Sequence, residues 1–224
     1  MQPSVPSAIV FDVNETLSDM SALGARFVEV GASGQAAPLW FASVLRDGFA
    51  LTATGQNPSF GQLARELLLL HLAEMQLNRS AEEAADHVLQ GFAELDLHPD
   101  VAPGAHRLHE GGVRLATLSN GASSVAEALL DRAGLRDRFE RLLSVEQAGA
   151  WKPTARAYEY AAQELEAKPE ELLLVAVHPW DVDGARRAGL QAAWVNRSAG
   201  AYPRTFTEPT YTVEGIEALA DLWD

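Results

Sequence analysis

Apolar residues recur along the chain at two different spacings, which predict two kinds of region. The run Ala8–Phe11 is continuously apolar and ends at Asp12, which predicts a buried strand that delivers a carboxylate at its carboxyl end. From about Ser18 to Leu97 the apolar residues follow helical spacing, most clearly in 60–70 and 81–95. This segment is therefore predicted to be a helical insertion.

Breaks and capping residues mark the ends of these predicted helices. The Asn-Pro-Ser sequence at 57–59 supplies a break and an N-cap, and Ser80 with Glu83 three residues later matches a capping box. A second break is predicted at 98–104, where the chain returns to the region of the first strand.

From Ala105 onward short apolar strands alternate with helical patterns, which is typical of βαβ units and a parallel sheet. Further strands are predicted at 113–118, 141–145, 172–177 and 192–195, with a short one at 210–213. Helices are predicted at 123–133, 154–165 and 182–188. The predicted fold class is α/β, with a parallel-sheet core, helices on both faces and an inserted helical segment.

Composition and charge narrow the classes of function. The chain has 224 residues, a formal net charge of −14 and no cysteine. The charge argues against nucleic acid and anionic membranes as partners, and the absence of cysteine excludes disulfides and thiolate chemistry. No apolar run approaches the roughly 20 residues of a membrane span, and no signal sequence is recognised, so a cytoplasmic location is expected.

Polar clusters follow the predicted strands, and the carboxyl ends of parallel strands meet at one crevice. Asp12 is placed there to act as a nucleophile that forms an ester, although a lone aspartate after a strand is often a turn or capping residue. Ser119 and Asn120 follow the next strand and would hold an anion or orient Asp12. The alternative is an ordinary strand-to-helix turn.

Two later clusters carry a cation and an imidazole. Lys152 would keep Asp12 ionised and bind an incoming anion, the alternative being a solvated surface lysine. His178 and Asp181 follow the strand at 172–177, where an imidazole oriented by a carboxylate would act as a general base toward water. Asp181 would also be suited to cap the helix at 182.

Together these clusters resemble the haloacid dehalogenase superfamily, and within it most closely the type II 2-haloacid dehalogenases. The matching motifs in chain order are Asp12 with Thr16, Ser119-Asn120-Gly121, Lys152-Pro153, and His178-Pro179-Trp180-Asp181. The resemblance implies a Rossmann-like core domain (residues 1–17 and 99–224) and a helical cap domain over the active site (residues 18–98).

The resemblance also implies a covalent mechanism that needs no metal and no cofactor. Asp12 would attack the carbon that bears the halogen, halide would leave, and water would hydrolyse the aspartyl ester. Thr16 and Ser119 would hydrogen-bond around Asp12, and Lys152 would pair with it in a network that includes Tyr158.

Other residues are assigned to the substrate and the hydrolytic water by the same resemblance. Asn120 would bind the substrate carboxylate, and Trp180 would form a wall of the pocket. Phe60 is a further candidate substrate-binding residue. Asp181 would orient or activate water. A small-molecule carboxylate is thus the expected partner, and a homodimer is compatible because the related dehalogenases are commonly dimeric.

The sequence departs from the dehalogenase pattern near the pocket floor and the cap. Asn14 and Glu15 stand where those enzymes usually have tyrosine and glycine. Phe41 stands where they carry the arginine that receives the halide, and Arg46, about one helical turn further on, is the proposed substitute. Asn14, Phe41 and Arg46 are therefore candidate substrate-binding residues.

Further departures surround the fourth motif. Ala176 and His178 replace a serine and an asparagine, so His178 together with Asp181 is a candidate for activating the ester-hydrolysing water. A phosphatase of the same superfamily needs a second aspartate at position 14 and an acidic residue at position 177, where this chain has Asn14 and Val177. A phosphatase with an atypical acid, or a binding protein with little turnover, are the alternatives.

Overall fold

The structure is a computed structural model that describes residues 5–223. Within these residues, six parallel strands form one sheet in the order β3-β2-β1-β4-β5-β6. The strands are β1 (Ala8–Phe11), β2 (Arg114–Ser119), β3 (Phe139–Ser144), β4 (Leu172–Ala176), β5 (Gln191–Val195) and β6 (Tyr211–Val213).

Helices lie on both faces of this sheet and in the long segment after β1. The described helices are α1 (Leu23–Glu29), α2 (Ala36–Ala53), α3 (Phe60–Ala73), α4 (Ala81–Ala93), α5 (Val101–Glu110), α6 (Ser123–Arg132), α7 (Val145–Ala148), α8 (Ala155–Glu164), α9 (Pro179–Arg187) and α10 (Ile216–Ala220). The predicted α/β fold class is confirmed. No helix among residues 5–223 combines the length and apolar character needed to cross a membrane.

The central strand β1 places Asp12 at the point where the strand order reverses. β1 pairs with β2 on one side and β4 on the other, so the chain winds outward in both directions from this position. Its side chains alternate between two cores: Val10 packs with residues of α8 and α9, and Phe11 packs with residues of α5, α6 and α10. Ligands of such sheets bind outside the carboxyl ends at this reversal, which is where Asp12 lies.

The segment from α1 to α4 contains helices and their connecting loops and no strand, as the spacing of its apolar residues predicts. The buried Trp40 of α2 contacts the other three helices. Its ring packs against Phe27 of α1 and Phe92 of α4, and its Nε1 donates to the Ala64 carbonyl of α3 at 2.9 Å. The division into domains at 17/18 and 98/99 stays a prediction, and its positions 1–4 and 224 lie outside the described residues.

Two capping predictions have different outcomes. Ser80 and Glu83 form the predicted capping box at the start of α4, with each side chain accepting from the other residue's backbone N–H. Ser59 does occupy the N-cap position of α3, but its side chain makes no capping hydrogen bond.

Two predicted boundaries are wrong, and proline explains both. The predicted break at 98–104 contains the start of α5 at Val101, because Pro103 lies in the first helical turn, where its missing N–H is tolerated. Helix α9 begins at Pro179 rather than at 182, because proline is well suited to the first position of a helix.

Candidate active site

The Asp12 carboxylate is held on both oxygens at the end of β1. Its Oδ1 accepts a hydrogen bond from Lys152 Nζ at 2.8 Å, and its Oδ2 accepts one from Thr16 Oγ1 at 2.7 Å. Thr16 Oγ1 in turn accepts from the Val177 N–H at 3.1 Å, which fixes the direction of its own hydrogen. The predicted contacts of Asp12 with Thr16 and Lys152 are therefore present.

Lys152 bridges two carboxylates in the protein interior. Its side chain is fully buried, and its Nζ donates to Asp12 and, at 2.6 Å, to Oδ2 of Asp181. The other oxygen of Asp181 accepts from the Tyr158 hydroxyl at 2.6 Å. The alternative, that Lys152 is a solvated surface lysine, is wrong because its side chain is buried. A buried ammonium group needs anions to compensate for its lost hydration, and Asp12 and Asp181 supply them.

The electrostatics of this network shift the pKa values of Asp12 and Asp181 in opposite directions. Burial would raise the pKa of Asp12, but the charges of Lys152 and His178 lower it below its ordinary value. Burial raises the pKa of Asp181, and the Asp12 charge adds to that effect against the opposing charge of Lys152. Asp12 is consequently the carboxylate held in the ionised, nucleophilic form.

The cluster after β2 supports the lysine loop. The side chain of Asn120 accepts from the Lys152 backbone N–H at 2.9 Å, which fixes the backbone that presents Nζ. Ser119 Oγ accepts from the Gly121 N–H at 2.9 Å within its own turn. The predicted hydrogen bond from Ser119 to Asp12 is not among those of residues 5–223. Asn120 keeps an amide N–H₂ whose contact to the Lys152 carbonyl is long, at 3.5 Å.

Aromatic rings of α2 and α3 pack in a row that reaches Trp151, the residue before Lys152. Phe41 packs against Phe60, with ring centroids 6.3 Å apart, and Phe60 stacks on Trp151 at 5.8 Å, next to Lys152 in sequence. Trp180 lies with its ring centroid 5.9 Å from Lys152 Nζ and contacts Phe49 edge-on. Trp180 is thus the ring that lies next to the Lys152 ammonium, and Phe41 and Phe60 extend from Trp151. Phe41, Phe60 and Trp180 are called the aromatic wall below.

Arg46 is the predicted residue that the structure separates from the others. Its guanidinium forms a two-pronged ion pair with Asp47 and its side chain is 69% exposed. The expectation that it replaces the missing cap arginine fails for a geometric reason. Five residues separate it from Phe41, which is about 140° around a helix, so the two side chains point in different directions.

His178 faces a different carboxylate from the one predicted. Its Nε2 lies 3.5 Å from Oε2 of Glu15, 3.8 Å from Oδ2 of Asp12 and 3.3 Å from the Asn14 carbonyl oxygen. The Asp181 carboxylate is bound to Lys152 and Tyr158 instead, so the predicted pairing of His178 with Asp181 is wrong. Asp181 also lies in the first turn of α9, whose N-cap is His178.

A cavity of 540 Å³ opens beside His178, between the sheet edge and the start of α2. Its polar lining includes Glu15, His98, His178, Asn196 and Arg197. It is several times larger than a two- or three-carbon acid, and it borders the Asp12 network through His178.

Arg197 is a residue of this site that the sequence interpretation missed. Its guanidinium donates to the Thr16 carbonyl at 2.9 Å and to Asp100 Oδ1 at 2.6 Å. Asp100 Oδ2 accepts from the Ile216 N–H at 2.6 Å, so the contact reaches α10. The sequence does contain a signal for Arg197, because this residue follows β5 in the same way as the other site residues follow their strands.

The described residues offer no group of three or more His, Cys, Asp or Glu side chains placed to hold a metal ion. Asn14 and Val177 occupy the two positions where magnesium-dependent relatives need acidic residues, and the Lys152 ammonium lies between the carboxylates of Asp12 and Asp181. This donor set does not fit a divalent cation, which requires several oxygen ligands.

Comparison with known proteins gives one consistent family. Residues 6–189 match the model for haloacid dehalogenase-like hydrolases. The chain is 30% identical to haloacetate dehalogenase H-2 of Moraxella sp. (strain B), covering 96% of each chain. It is 28% identical to (S)-2-haloacid dehalogenase 2 of Pseudomonas sp. (strain CBS-3), covering 96% of this chain and 94% of that one.

A solved structure shows the same fold with a covalent adduct. It is the L-2-haloacid dehalogenase from Xanthobacter autotrophicus with chloropropionic acid covalently bound. The TM-score is 0.88 and the identity 25%, over 97% of this chain and 98% of that chain.

Proposed function

The chain belongs to the haloacid dehalogenase-like hydrolase family, and from this premise we propose that it displaces halide from a small 2-halocarboxylate through an ester on Asp12. The observation that carries the proposal is the buried ammonium of Lys152, which holds the Asp12 carboxylate ionised at the carboxyl end of β1. The relatives named above are haloacetate and 2-haloacid dehalogenases, and one solved relative has chloropropionic acid covalently bound.

The first step is a displacement at carbon. An oxygen of Asp12 forms a bond to C2 of the substrate as the carbon–halogen bond breaks, and the halide leaves with the bonding electrons. Lys152 keeps Asp12 anionic and fixes its orientation, and the aromatic wall of Phe41, Phe60 and Trp180 keeps water away from the reacting carbon. The amide N–H₂ of Asn120 is the proposed donor to the substrate carboxylate.

The second step is hydrolysis of the ester. Water adds to the acyl carbon of Asp12, and the bond between that carbon and the substrate oxygen breaks, which releases a 2-hydroxy acid and regenerates the carboxylate. Asp181 is the proposed group that orients or activates this water, and Tyr158 holds its carboxylate in place at 2.6 Å. The overall reaction consumes one water and releases one proton with the halide.

Release of halide is the direct test. A panel of fluoroacetate, chloroacetate and both enantiomers of 2-chloropropionate is incubated with the native chain and with Asp12→Asn, whose fold is checked by circular dichroism. We expect halide from the native chain and none from the variant. A folded native chain that releases no halide from any member contradicts the proposal.

A second assay, hydrolysis of a phosphate monoester, tests the phosphatase alternative. Hydrolysis of a generic phosphate monoester that needs magnesium and stops with a chelator would favour it. Phosphatase activity is expected to be absent, because Asn14 cannot donate a proton to a leaving group as a carboxylic acid does.

We also infer a homodimer formed through the helical segment. Of the large apolar side chains that are exposed within residues 5–223, three lie on α1, α2 and α3: Val28, Leu39 and Leu70, exposed by 59%, 64% and 66%. Sedimentation of the native chain should give a dimer, and Leu39→Glu with Leu70→Glu should give a monomer. The cytoplasmic location stays a prediction.

A further inference from the structure

Glu15 has a backbone conformation that disfavours its side chain. Its φ is +63°, in the left-handed region, where glycine is the residue without a steric penalty. The 2-haloacid dehalogenases that the sequence resembles usually carry glycine at this position. A glutamate in such a strained conformation beside a catalytic group suggests that its carboxylate has a function.

The contacts of His178 indicate that its Nε2 carries a hydrogen. Its Nε2 faces three oxygen acceptors, the Asn14 carbonyl at 3.3 Å, Glu15 Oε2 at 3.5 Å and Asp12 Oδ2 at 3.8 Å. A ring nitrogen surrounded by acceptors carries a hydrogen. Its ring is also stacked on Trp180, with centroids 5.0 Å apart, which fixes the ring plane.

This arrangement argues against the general-base role that the sequence suggested for His178, since a base needs a free lone pair on the nitrogen that faces the water. The same arrangement suits a hydrogen-bond donor. Two donors then converge on one oxygen of the nucleophile, because Thr16 Oγ1 already donates to Asp12 Oδ2 at 2.7 Å.

We propose that His178 donates its Nε2–H to Oδ2 of Asp12 during ester hydrolysis, and that Glu15 is the positioning residue that keeps this hydrogen in place. The inference rests on the proposed function. When Oδ1 carries the substrate, Oδ2 is the ester carbonyl oxygen. Addition of water to the acyl carbon moves the carbonyl electron pair onto Oδ2, and collapse of the intermediate returns it as the substrate oxygen leaves.

Donors aimed at an oxygen that becomes negative accelerate such a step, and removal of one donor slows it about 10²–10³-fold in hydrolases that use this device. The distance of 3.8 Å in the free protein is longer than a hydrogen bond. Such contacts are often long before substrate binds and shorten in the reacting complex. Glu15 lines the cavity, and its carboxylate, 3.5 Å from Nε2, favours the tautomer of His178 that carries the hydrogen on this nitrogen.

The experiment separates the two chemical steps in single turnovers with S-2-chloropropionate. Rapid quench gives the halide burst, which reports ester formation, and intact-protein mass spectrometry gives the amount of ester. We expect His178→Ala to keep the burst within about threefold but to slow ester hydrolysis about a hundredfold, so that ester accumulates. His178→Gln, which retains an N–H donor, should recover most of this loss.

Glu15 is tested with a matched control elsewhere in the chain. Glu166 also has a left-handed backbone, with φ +50°, and is exposed. Glycine at either position should raise the melting temperature, because the strain is relieved. Glu15→Gly and Glu15→Gln should slow ester hydrolysis about tenfold, because His178 loses its positioning group, whereas Glu166→Gly should leave it unchanged.

The outcomes distinguish the two proposals. Ester that forms in the native chain and hydrolyses equally fast in the Glu15 and His178 variants overturns this inference alone. A native chain that gives neither halide nor ester overturns the proposed function, and this inference with it. Slower hydrolysis with accumulated ester in the variants and recovery by His178→Gln supports both.

Discussion

Replacing Lys152 by methionine is the sharpest test of the buried network. The two side chains have similar length, so the substitution removes the charge with little change in packing volume. It leaves the carboxylates of Asp12 and Asp181 buried without the ammonium that lies 2.8 and 2.6 Å from them. Removing one partner of a buried ion pair costs about 3–5 kcal/mol, so we expect the free energy of unfolding near neutral pH to fall by that amount.

The loss should depend on pH, and its sign follows from proton binding. In the native chain the pKa of Asp12 is lowered, so this group contributes stability above its unfolded pKa of 3.8 that is lost as the pH falls. Without Lys152, burial raises the pKa of both carboxyls above their unfolded values. The folded variant then binds more protons than the unfolded chain, so its stability falls as the pH rises through that range.

Guanidinium unfolding followed by tryptophan fluorescence measures both effects. The chain contains a second lysine, Lys168, which also precedes proline but is exposed, and Lys168→Met is the matched control. We expect the control to change the free energy of unfolding by less than about 0.5 kcal/mol. A Lys152→Met loss below about 1 kcal/mol at neutral pH, or an equal loss at pH 5, refutes the electrostatic argument.

Three further substitutions test other contacts. Tyr158→Phe should lower the free energy of unfolding by about 1–3 kcal/mol, because Asp181 loses a buried donor, and thermal unfolding measures it. Gly48→Ala should cost about 1–3 kcal/mol, because its Cβ would overlap the ring of Trp151. Arg46→Ala should leave KM for halide release unchanged, because the side chain is exposed.

Each of these three substitutions has a control or a result that would contradict its prediction. Gly61→Ala on α3, where an added Cβ meets no close atom, should stabilise the chain by about 0.5–1 kcal/mol, so equal effects at Gly48 and Gly61 contradict the packing argument. Unchanged stability of Tyr158→Phe means that another donor reaches Asp181. A raised KM in Arg46→Ala returns Arg46 to the substrate site.

The sequence carries enough information for the fold and the central network because both depend on simple geometry. Continuous apolar runs identify the strands, and parallel strands bring their carboxyl ends together. This reasoning places Asp12, Lys152 and Asp181 at one edge of the sheet, and the structure joins them by hydrogen bonds.

The remaining features depend on angles that residue spacing does not contain. The direction of Arg46 follows from the exact phase of α2, and a difference of one residue turns a side chain by about 100°. The contact of Glu15 with His178 depends on a left-handed backbone at a glutamate, which no propensity predicts. Arg197 differs from these two cases, because its position directly after β5 predicts that it lies at the same edge of the sheet as the other site residues.

The links of Arg197 bear on how the chain can be shortened. One guanidinium connects the turn after the nucleophile, the residue before α5 and, through Asp100, the first residue of α10. Ending the chain after α9 would spare every residue of the charged network but remove Arg197, two strands and α10. We therefore expect an active fragment to include the C-terminal segment through α10. A fusion partner is best attached after α10 and should not replace it.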